Sequence, residues 1–188
     1  MRIKLKDIAS IQTGIFATPA ANGELVYLQT KHFDENGQLK TTLHPDLKAE
    51  QISEKHILRP GDVLFSAKGT KNFAAWYESK NPGAVASTSF FVIRVFDNFS
   101  DTILPEYLVW TINHPTSQKF LKGQALGTAI ASISKAVLEE LEMIVPPIET
   151  QKTVLQITHL RNKEKLLKHE IESLREQQIK QQILNAIK

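Results

Sequence analysis

The last forty residues of the chain, 149–188, read ETQKTVLQITHLRNKEKLLKHEIESLREQQIKQQILNAIK. They contain neither glycine nor proline, and strong helix formers such as lysine, glutamate, glutamine and leucine fill them. One heptad frame places apolar residues on its a and d positions, namely Ile157, Leu160, Leu167, Ile171 and Leu174. Glu164 is the only polar residue among the first six of these positions. The pattern therefore predicts one long amphipathic helix.

At a rise of 1.5 Å per residue, this helix is about 58 Å long. The heptad frame breaks at Gln177-Gln178, after which Ile179, Ile183 and Ile187 continue the apolar stripe at a spacing of four. A long amphipathic helix needs a surface that covers its apolar face. The helix could fold back on its own domain or pair with a helix of another subunit. Its length and composition favour pairing.

The size and composition of the chain are those of a globular protein. Its 188 residues can hold one domain of about 150 residues and an appendage. Hydrophobic residues make up 41% of the chain, and there is no cysteine, which excludes disulfides and cysteine-ligated zinc. The first residues do not resemble a signal peptide, and no apolar run approaches the ~20 residues of a membrane span. We therefore expect a soluble cytoplasmic protein.

The net charge of +3 lies in the C-terminal segment. Residues 148–188 contain eight basic and five acidic side chains, whereas residues 1–147 contain fifteen of each. The overall charge of the body therefore gives no indication of nucleic-acid binding. Two local stretches are basic, however, because 59–96 has five basic and two acidic residues and 110–135 has three lysines and no acid. They form one basic patch if the fold brings them together.

Residues 1–147 show short apolar runs separated by polar turns, a pattern typical of a mixed α/β domain. We expect a helix over 5–11 that is capped by Gly14. We also expect buried strands that contain Val63, Leu64, Phe65, Phe91 and Ile93. Further helices are expected over 104–112, 115–122 and 134–141. Pro146-Pro147 marks a boundary, so the chain divides into 1–147 and 148–188. The expected fold class is α+β, a mixed α/β domain followed by one long C-terminal coiled-coil helix.

Residue patterns that carry catalysis are missing from the sequence. There is no glycine-rich phosphate loop, and the six histidines show no zinc-site spacing with Asp or Glu. Ser87-Thr88-Ser89 has no base that could activate it. We therefore expect a binding protein that is not an enzyme and uses no metal or cofactor. The alternative is that the protein is an enzyme whose catalytic site has no recognisable sequence pattern.

Several motifs resemble the DNA-specificity subunit of type I restriction–modification systems. In chain order they are Leu5-x-Asp7-Ile8-Ala9-x-Ile11-x-x-Gly14, Tyr27-Leu28, Leu58-x-x-Gly61-Asp62-Val63-Leu64-x-Ser66, Pro105-Glu106-Tyr107-Leu108, Gly127-Thr128 with Ile133-Ser134, and Leu138-x-x-Leu141-x-x-x-Val145-Pro146-Pro147-x-x-x-Gln151. Each motif alone is weak, but their order through nearly the whole chain makes the resemblance specific.

The resemblance implies a DNA target-recognition domain over 1–147 and a spacer or dimerisation helix over 148–188. A full-length family member has two such domains and two helices, which pair antiparallel so that each domain reads one half of a split DNA site. Methylation and cleavage belong to a methyltransferase subunit and a restriction subunit. This chain is half that size, and it is either a functional half-subunit or a truncated product. Two copies would restore the family arrangement as a homodimer through the antiparallel helices.

Three stretches are candidates for DNA contact. The loop Lys68-Gly69-Thr70-Lys71-Asn72 offers lysines for phosphates and Thr70 and Asn72 for base edges. The second stretch contains Lys119, Lys122, Gln124 and Thr128. The third stretch is Thr30-Lys31-His32. Each could instead be an ordinary solvated loop. The alternative function is a coiled-coil assembly or decoy partner of a methyltransferase subunit, without a specific DNA target of its own. Steeply salt-dependent binding to duplex DNA separates the two functions.

Overall fold

A computed structural model of the chain describes residues 2–19, 22–34, 37–39, 43–69, 72–124 and 132–187. The chain divides into two compact units, Met1–Ile148 and Glu149–Lys188. The first unit contains every strand of the described residues and three α-helices, and the second is a single helix. The α+β class that the sequence predicts is confirmed.

The first unit is built from short strands and short helices. Its strands are β1 Arg2–Lys4, β2 Ala9–Thr13, β3 Val26–Leu28, β4 Val63–Ser66, β5 Ala74–Trp76, β6 Ala84–Ala86, β7 Phe90–Val95 and β8 Glu142–Ile144. The α-helices are α1 Pro105–Asn113, α2 Pro115–Gly123, α3 Lys135–Glu139 and, in the second unit, α4 Ile148–Ala186. Single 3-10 turns occur at Leu5–Asp7, Thr30–His32, Ala49–Gln51, Glu54–His56 and Asp97–Phe99.

The strands form one antiparallel sheet and two smaller pairs. The sheet has four strands in the order β2-β7-β4-β5, so β7 is hydrogen-bonded on both sides. In its register, Ile93 of β7 lies opposite both Ile11 of β2 and Val63 of β4. The pair β1–β8 is antiparallel and the pair β3–β6 is parallel. Residues from distant parts of the sequence therefore meet along β7.

Proline begins α1, and asparagine joins the helix to the sheet. Pro105 occupies the first turn, where its missing N–H costs no helix hydrogen bond. At the other end, the Asn113 side chain accepts from the Ala74 N–H at 2.7 Å and donates to the Ala74 carbonyl at 2.9 Å. The Tyr107 hydroxyl donates to the Ile144 carbonyl at 3.1 Å, which ties the helix to β8 as well.

The core lies on both sides of β4, as its apolar sequence predicts. Val63, Leu64, Phe65 and Ile93 are each at most 1% exposed, which confirms the prediction for these residues. The prediction for Phe91 is wrong, because its side chain is only half-buried. It pairs with exposed Thr13 at the end of an edge strand, so part of the ring stays accessible.

The helix expected over 5–11 does not form. This segment is the 3-10 turn Leu5–Asp7 followed by β2, which pairs with β7 along its whole length. Apolar residues at 5, 8 and 11 satisfy the helical period, but the alternating residues Ala9 and Ile11 also satisfy the strand period and are buried. Long-range strand pairing decides between the two patterns.

A buried ion pair joins the turn before β4 to β7. Asp62 is 1% exposed, and its carboxylate accepts from Arg94 Nε at 2.7 Å and from an Arg94 terminal nitrogen at 2.6 Å. The same carboxylate accepts from the Arg59 N–H at 2.8 Å. Hydrogen bonding to this carboxylate raises the pKa of Arg94, against the opposing effect of burial. Asp62 thus fixes both the turn and the neighbouring strand.

The second unit consists of α4 from Glu149 onward, and the whole helix has 39 residues. Its ion pairs lie within the helix and on its surface, such as Lys168 Nζ to Glu164 Oε1 at 2.6 Å. The apolar stripe predicted from the sequence is exposed, with relative exposures between 49% and 75% for its leucines and isoleucines. Among the described residues, no helix is long and apolar enough to cross a membrane.

We predict that Asp62→Ala lowers the free energy of unfolding by about 2–4 kcal/mol, because it leaves the Arg94 guanidinium and the Arg59 N–H without their partner. Glu78→Ala is the matched control, since it removes the surface partner of Lys80, 2.8 Å away, and should cost less than about 1 kcal/mol. Urea unfolding followed by circular dichroism measures both. Equal losses in the two variants would contradict the role assigned to Asp62.

Candidate nucleic-acid interface

Four loops of the first unit meet at one end of its strands. Strand β7 runs antiparallel to β2 and β4, so the segments that follow β2 and β4 lie beside the start of β7. Strands β3 and β6 are parallel, which places the segment after β3 beside the connection from β6 to β7. We call this surface the loop edge, and it consists of residues 14–19, 29–32, 67–69 with Asn72, and 87–89.

Backbone hydrogen bonds join these loops across the sequence. The Ser87 N–H donates to the Leu28 carbonyl and the Ala67 N–H to the Ser89 carbonyl, each at 2.9 Å. Gly14 approaches the connection so closely that a Cβ at this position would overlap the Ser87 carbonyl oxygen. The close approach, and not a helix cap, is therefore the reason for glycine at position 14.

A cavity of about 560 Å³ opens at the loop edge. Its lining contains several hydroxyl groups, the amide of Gln29, the ammonium group of Lys31 and the phenyl ring of Phe16. The residues of the lining are Phe16, Ala17, Thr18, Pro19, Tyr27, Gln29, Thr30, Lys31, Ser87, Thr88 and Ser89. None of these residues is acidic. Hydroxyl and amide groups can both donate to and accept from base edges, and lysine attracts phosphate. The lining thus has the chemistry of a nucleic-acid contact surface.

Lys31 is presented to solvent by a tight turn. Its neighbour His32 accepts a hydrogen bond at Nδ1 from the Gln29 N–H, at 3.2 Å, and the His32 N–H donates to the Gln29 carbonyl at 3.0 Å. Burial lowers the pKa of His32, and the charge of Lys31 lowers it further, while Asp46 opposes the shift. The imidazole is therefore held neutral, in the form that can accept from the backbone.

Lys68 joins the same surface from the loop after β4. It is exposed and forms a β-bridge with Ser132. Thr70 and Lys71 lie outside the described residues. The structure thus brings Lys31 and Lys68 to one edge, although 37 positions separate them in the sequence.

Asn72 has a structural position in this loop. It is 8% exposed, and its Nδ2 donates to the Ser66 carbonyl at 2.9 Å. An amide that is buried and bonded to the backbone is not available to a base edge. We therefore revise the prediction for Asn72 and give it the role of holding the loop that carries Lys68.

The second predicted stretch lies mainly on another part of the unit. Lys119, Lys122 and Gln124 are exposed on and just after α2. Other residues of α2, Thr116, Ser117 and Phe120, line a different cavity of about 550 Å³ together with β1 and β8. Thr128 lies outside the described residues. Their contact with DNA remains a prediction.

Sequence reasoning missed two components of the loop edge. Phe16 is 82% exposed, and the hydroxyl residues of 87–89 form the connection from β6 to β7. The Ser87 Oγ is buried and has no hydrogen-bond partner among the described residues. A run of three hydroxyl residues between two apolar strands was the available signal. No group of three or more histidine or acidic residues in the described ranges could hold a metal ion.

A comparison with protein families matches residues 1–184 to the type I restriction modification DNA specificity domain. The chain belongs to this family. The match includes both the unit that carries the loop edge and nearly all of α4. A search among curated proteins gives no match.

Solved structures with this fold include S subunits of type I systems. The HsdS subunit from Thermoanaerobacter tengcongensis has a TM-score of 0.65 and 19% identity, covering 90% of this chain and 44% of that one. The type I S subunit from M. genitalium has a TM-score of 0.59 and 12% identity, covering 87% and 39%. A structure on complex assembly and conformational transition of the type I R-M system has a TM-score of 0.64 and 15% identity, covering 87% and 38%. The chain therefore spans about two fifths of the length of these proteins.

We predict that the fold loses stability as the pH falls from 6.5 toward 5.5. His32 has a lowered pKa in the folded state, so the unfolded chain binds the proton more readily in this window, and protonation removes the acceptor for the Gln29 N–H. The loss should reach up to about 1 kcal/mol, the contribution of one hydrogen bond. His32→Asn keeps an acceptor that does not titrate and should flatten the dependence, whereas His44→Asn, at an exposed site, should not. Thermal unfolding at both pH values measures this. An unchanged pH dependence in His32→Asn would exclude the mechanism.

Proposed function

We propose that this chain is the DNA-recognition subunit of a type I restriction–modification system, and that its first unit binds duplex DNA through the loop edge. The observation that supports this most is that the loop edge combines Lys68 with a cavity lined by Lys31 and by hydroxyl and amide groups. None of the described residues that line this cavity has a carboxylate. Lysines hold phosphates and so position the protein, while hydroxyl and amide groups reach base edges and provide selectivity.

In this proposal the chain performs no chemistry itself. A methyltransferase subunit methylates the DNA and a restriction subunit cleaves it, and the chain directs both to the target site in the cytoplasm. Membership in a family of DNA specificity domains supports this division of labour. No cofactor is needed for recognition alone.

We further propose that two chains pair through their α4 helices to form a homodimer. The exposed stripe from Ile157 to Leu174 supports pairing, because a fully buried leucine or isoleucine contributes roughly 1.5–3 kcal/mol. Antiparallel pairing puts the two recognition domains at opposite ends, as two half-sites require. In the symmetric register Ile157 faces Leu174 of the other copy, Leu160 faces Ile171, and Glu164 faces Leu167.

Two-fold symmetry has a consequence for the target. Identical domains read identical half-sites, so the site is an interrupted palindrome. A helix of about 58 Å spans at most about 17 base pairs at ~3.4 Å each, which limits the distance between the half-sites.

A second candidate function is an assembly or decoy partner of a methyltransferase subunit that does not recognise its own DNA target. The exposed stripe of α4 favours it, since this helix could pair with a spacer helix of a longer S subunit, and the chain has about two fifths of such a subunit's length. Binding to duplex DNA in the absence of any partner separates this candidate from the first.

We predict that the double variant Lys31→Ala/Lys68→Ala binds all duplexes more weakly and flattens the dependence of log K on log salt. Each lost phosphate contact lowers the slope by about 0.9, so the double variant should lose close to two. Lys80→Ala is the control, because this exposed lysine follows β5 at the end of the strand away from the loop edge. Fluorescence anisotropy with labelled duplexes, at salt concentrations from about 50 to about 200 mM, gives both the affinity and its salt dependence. A double variant with the original slope would place the contact elsewhere.

We predict that helix variants change the dimer in opposite directions. Leu167→Glu buries a charge between the paired helices and should weaken association by about 100-fold or more. Glu164→Leu removes a charge from the same contact and should strengthen association. Because the chain has no cysteine of its own, introduced cysteines report orientation. Ile157→Cys alone should not cross-link, and Ile157→Cys combined with Leu174→Cys should give a covalent dimer under oxidation.

Sedimentation equilibrium and non-reducing electrophoresis follow these variants. Cross-linking by Ile157→Cys alone would show parallel pairing and overturn the antiparallel arrangement. A monomeric unmutated chain, alone and with its methyltransferase subunit, would overturn the dimer itself. Methylation mapping in a cell that carries both proteins then tests the function, and two different half-sites would contradict the symmetric site.

A further inference from the structure

Phe16 is the most exposed large apolar side chain of the described residues, at 82%. It lies at the mouth of the cavity of the loop edge, between β2 and β3 in sequence. An isolated exposed phenylalanine is unremarkable when its backbone is free to move. The backbone around Phe16 is held on both sides, and this is what sets the residue apart.

The hydroxyl of Tyr27 bonds to both neighbours of Phe16. It donates to the Ile15 carbonyl at 3.0 Å and accepts from the Ala17 N–H at 3.3 Å. Tyr27 is 4% exposed and belongs to β3, so the hydroxyl is a fixed point of the fold. The Ile15 N–H also donates to the Ala86 carbonyl, at 2.9 Å. Phe16 is thus presented to solvent on a segment that loses little conformational freedom on binding.

The surroundings of the ring match duplex DNA better than an apolar protein surface. Lys31 supplies positive charge at the cavity, and none of the described residues in its lining is acidic, so a polyanion is favoured. Gln29, Thr30, Thr88 and Ser89 line the same cavity as Phe16 and carry groups that can hydrogen-bond to base edges. Base edges show a distinct pattern for each base pair in the major groove, where the only apolar feature is the 5-methyl group of thymine.

We propose that Phe16 is a specificity-determining residue that contacts the 5-methyl group of one thymine in each half-site, and that Tyr27 is its positioning residue. The proposal rests on the DNA-recognition function proposed above. It assigns the loop edge to the major groove, where the polar groups around the cavity read neighbouring base edges. One base pair of the target is then selected by an apolar contact and not by a hydrogen bond.

The test begins with duplexes that the full chain enriches from a random-sequence pool. In an enriched duplex, each thymine is replaced in turn by uracil, which lacks only the methyl group. One thymine per half-site should be sensitive, with binding weakened about fourfold, which corresponds to ~0.8 kcal/mol for one buried methyl group. Thymines that make no apolar contact should tolerate the replacement.

Protein variants assign that sensitivity to the ring. Phe16→Ala should weaken binding about tenfold and abolish the difference between thymine and uracil at the sensitive position. Tyr27→Phe keeps the ring of Phe16 but releases its backbone, so it should reduce the difference without abolishing it. Phe96→Ala is the control, because Phe96 is 40% exposed and follows the opposite end of β7. Circular dichroism verifies that each variant is folded.

The outcomes separate this inference from the function on which it rests. If the unmutated chain enriches no duplex, the proposed function is wrong and the inference falls with it. If it enriches duplexes but Phe16→Ala keeps the full thymine preference, only the inference is wrong. A third outcome uses the fluorescence of 2-aminopurine placed beside the sensitive position. If this fluorescence increases on binding to the unmutated chain but not to Phe16→Ala, the ring inserts between bases, which also overturns the proposal.

Discussion

The mutual packing of Phe33, Phe73 and Phe90 is the contact on which the arrangement of the loops depends. Their ring centroids lie 5.7 Å, 5.5 Å and 6.2 Å apart, and the two contacts of Phe90 are edge-to-face, a favourable geometry for aromatic rings. Phe33 follows the turn after β3, Phe73 precedes β5, and Phe90 begins β7. Each ring therefore belongs to the residue that directly follows a different segment of the loop edge, and one aromatic cluster in the core holds these three segments together.

Polar side chains complete this arrangement by holding the backbone of the loops, and the side chains proposed to contact DNA are their exposed neighbours. Asn72 holds the loop that presents Lys68, His32 holds the turn that presents Lys31, and Tyr27 holds the segment that presents Phe16. In each pair a buried or half-buried group satisfies backbone donors or acceptors near an exposed side chain. Exposed residues at these positions can change without loss of a core contact, because the groups that stabilise the loops are different residues.

Local patterns predicted much of the fold but little of the site. The strands β4 and β7, the helices α1, α2 and α3 and the long helix α4 follow from local runs and spacings of apolar residues. The strand β2 did not, because apolar residues in 5–11 fit two periods and pairing with β7 decides between them. The loop edge depends on strand pairing between distant segments, which no short window contains. Lys31 and Lys68 were identified as separate candidates for this reason, and Phe16 was missed because an exposed ring leaves no periodic signal.

In the proposed dimer, the exposed stripe of α4 would link the activity of the chain to its abundance. A single chain exposes this stripe to water, and in the proposed dimer only the paired form holds two recognition domains at once. While most chains are unpaired, the concentration of dimers rises with the square of the total, so doubling the rate of synthesis gives about four times as many complete readers of a split site. Two promoters of different strength would then differ more in the amount of dimer that they produce than in the total amount of protein. The helix would act as a dosage sensor that needs no ligand and no separate regulatory protein.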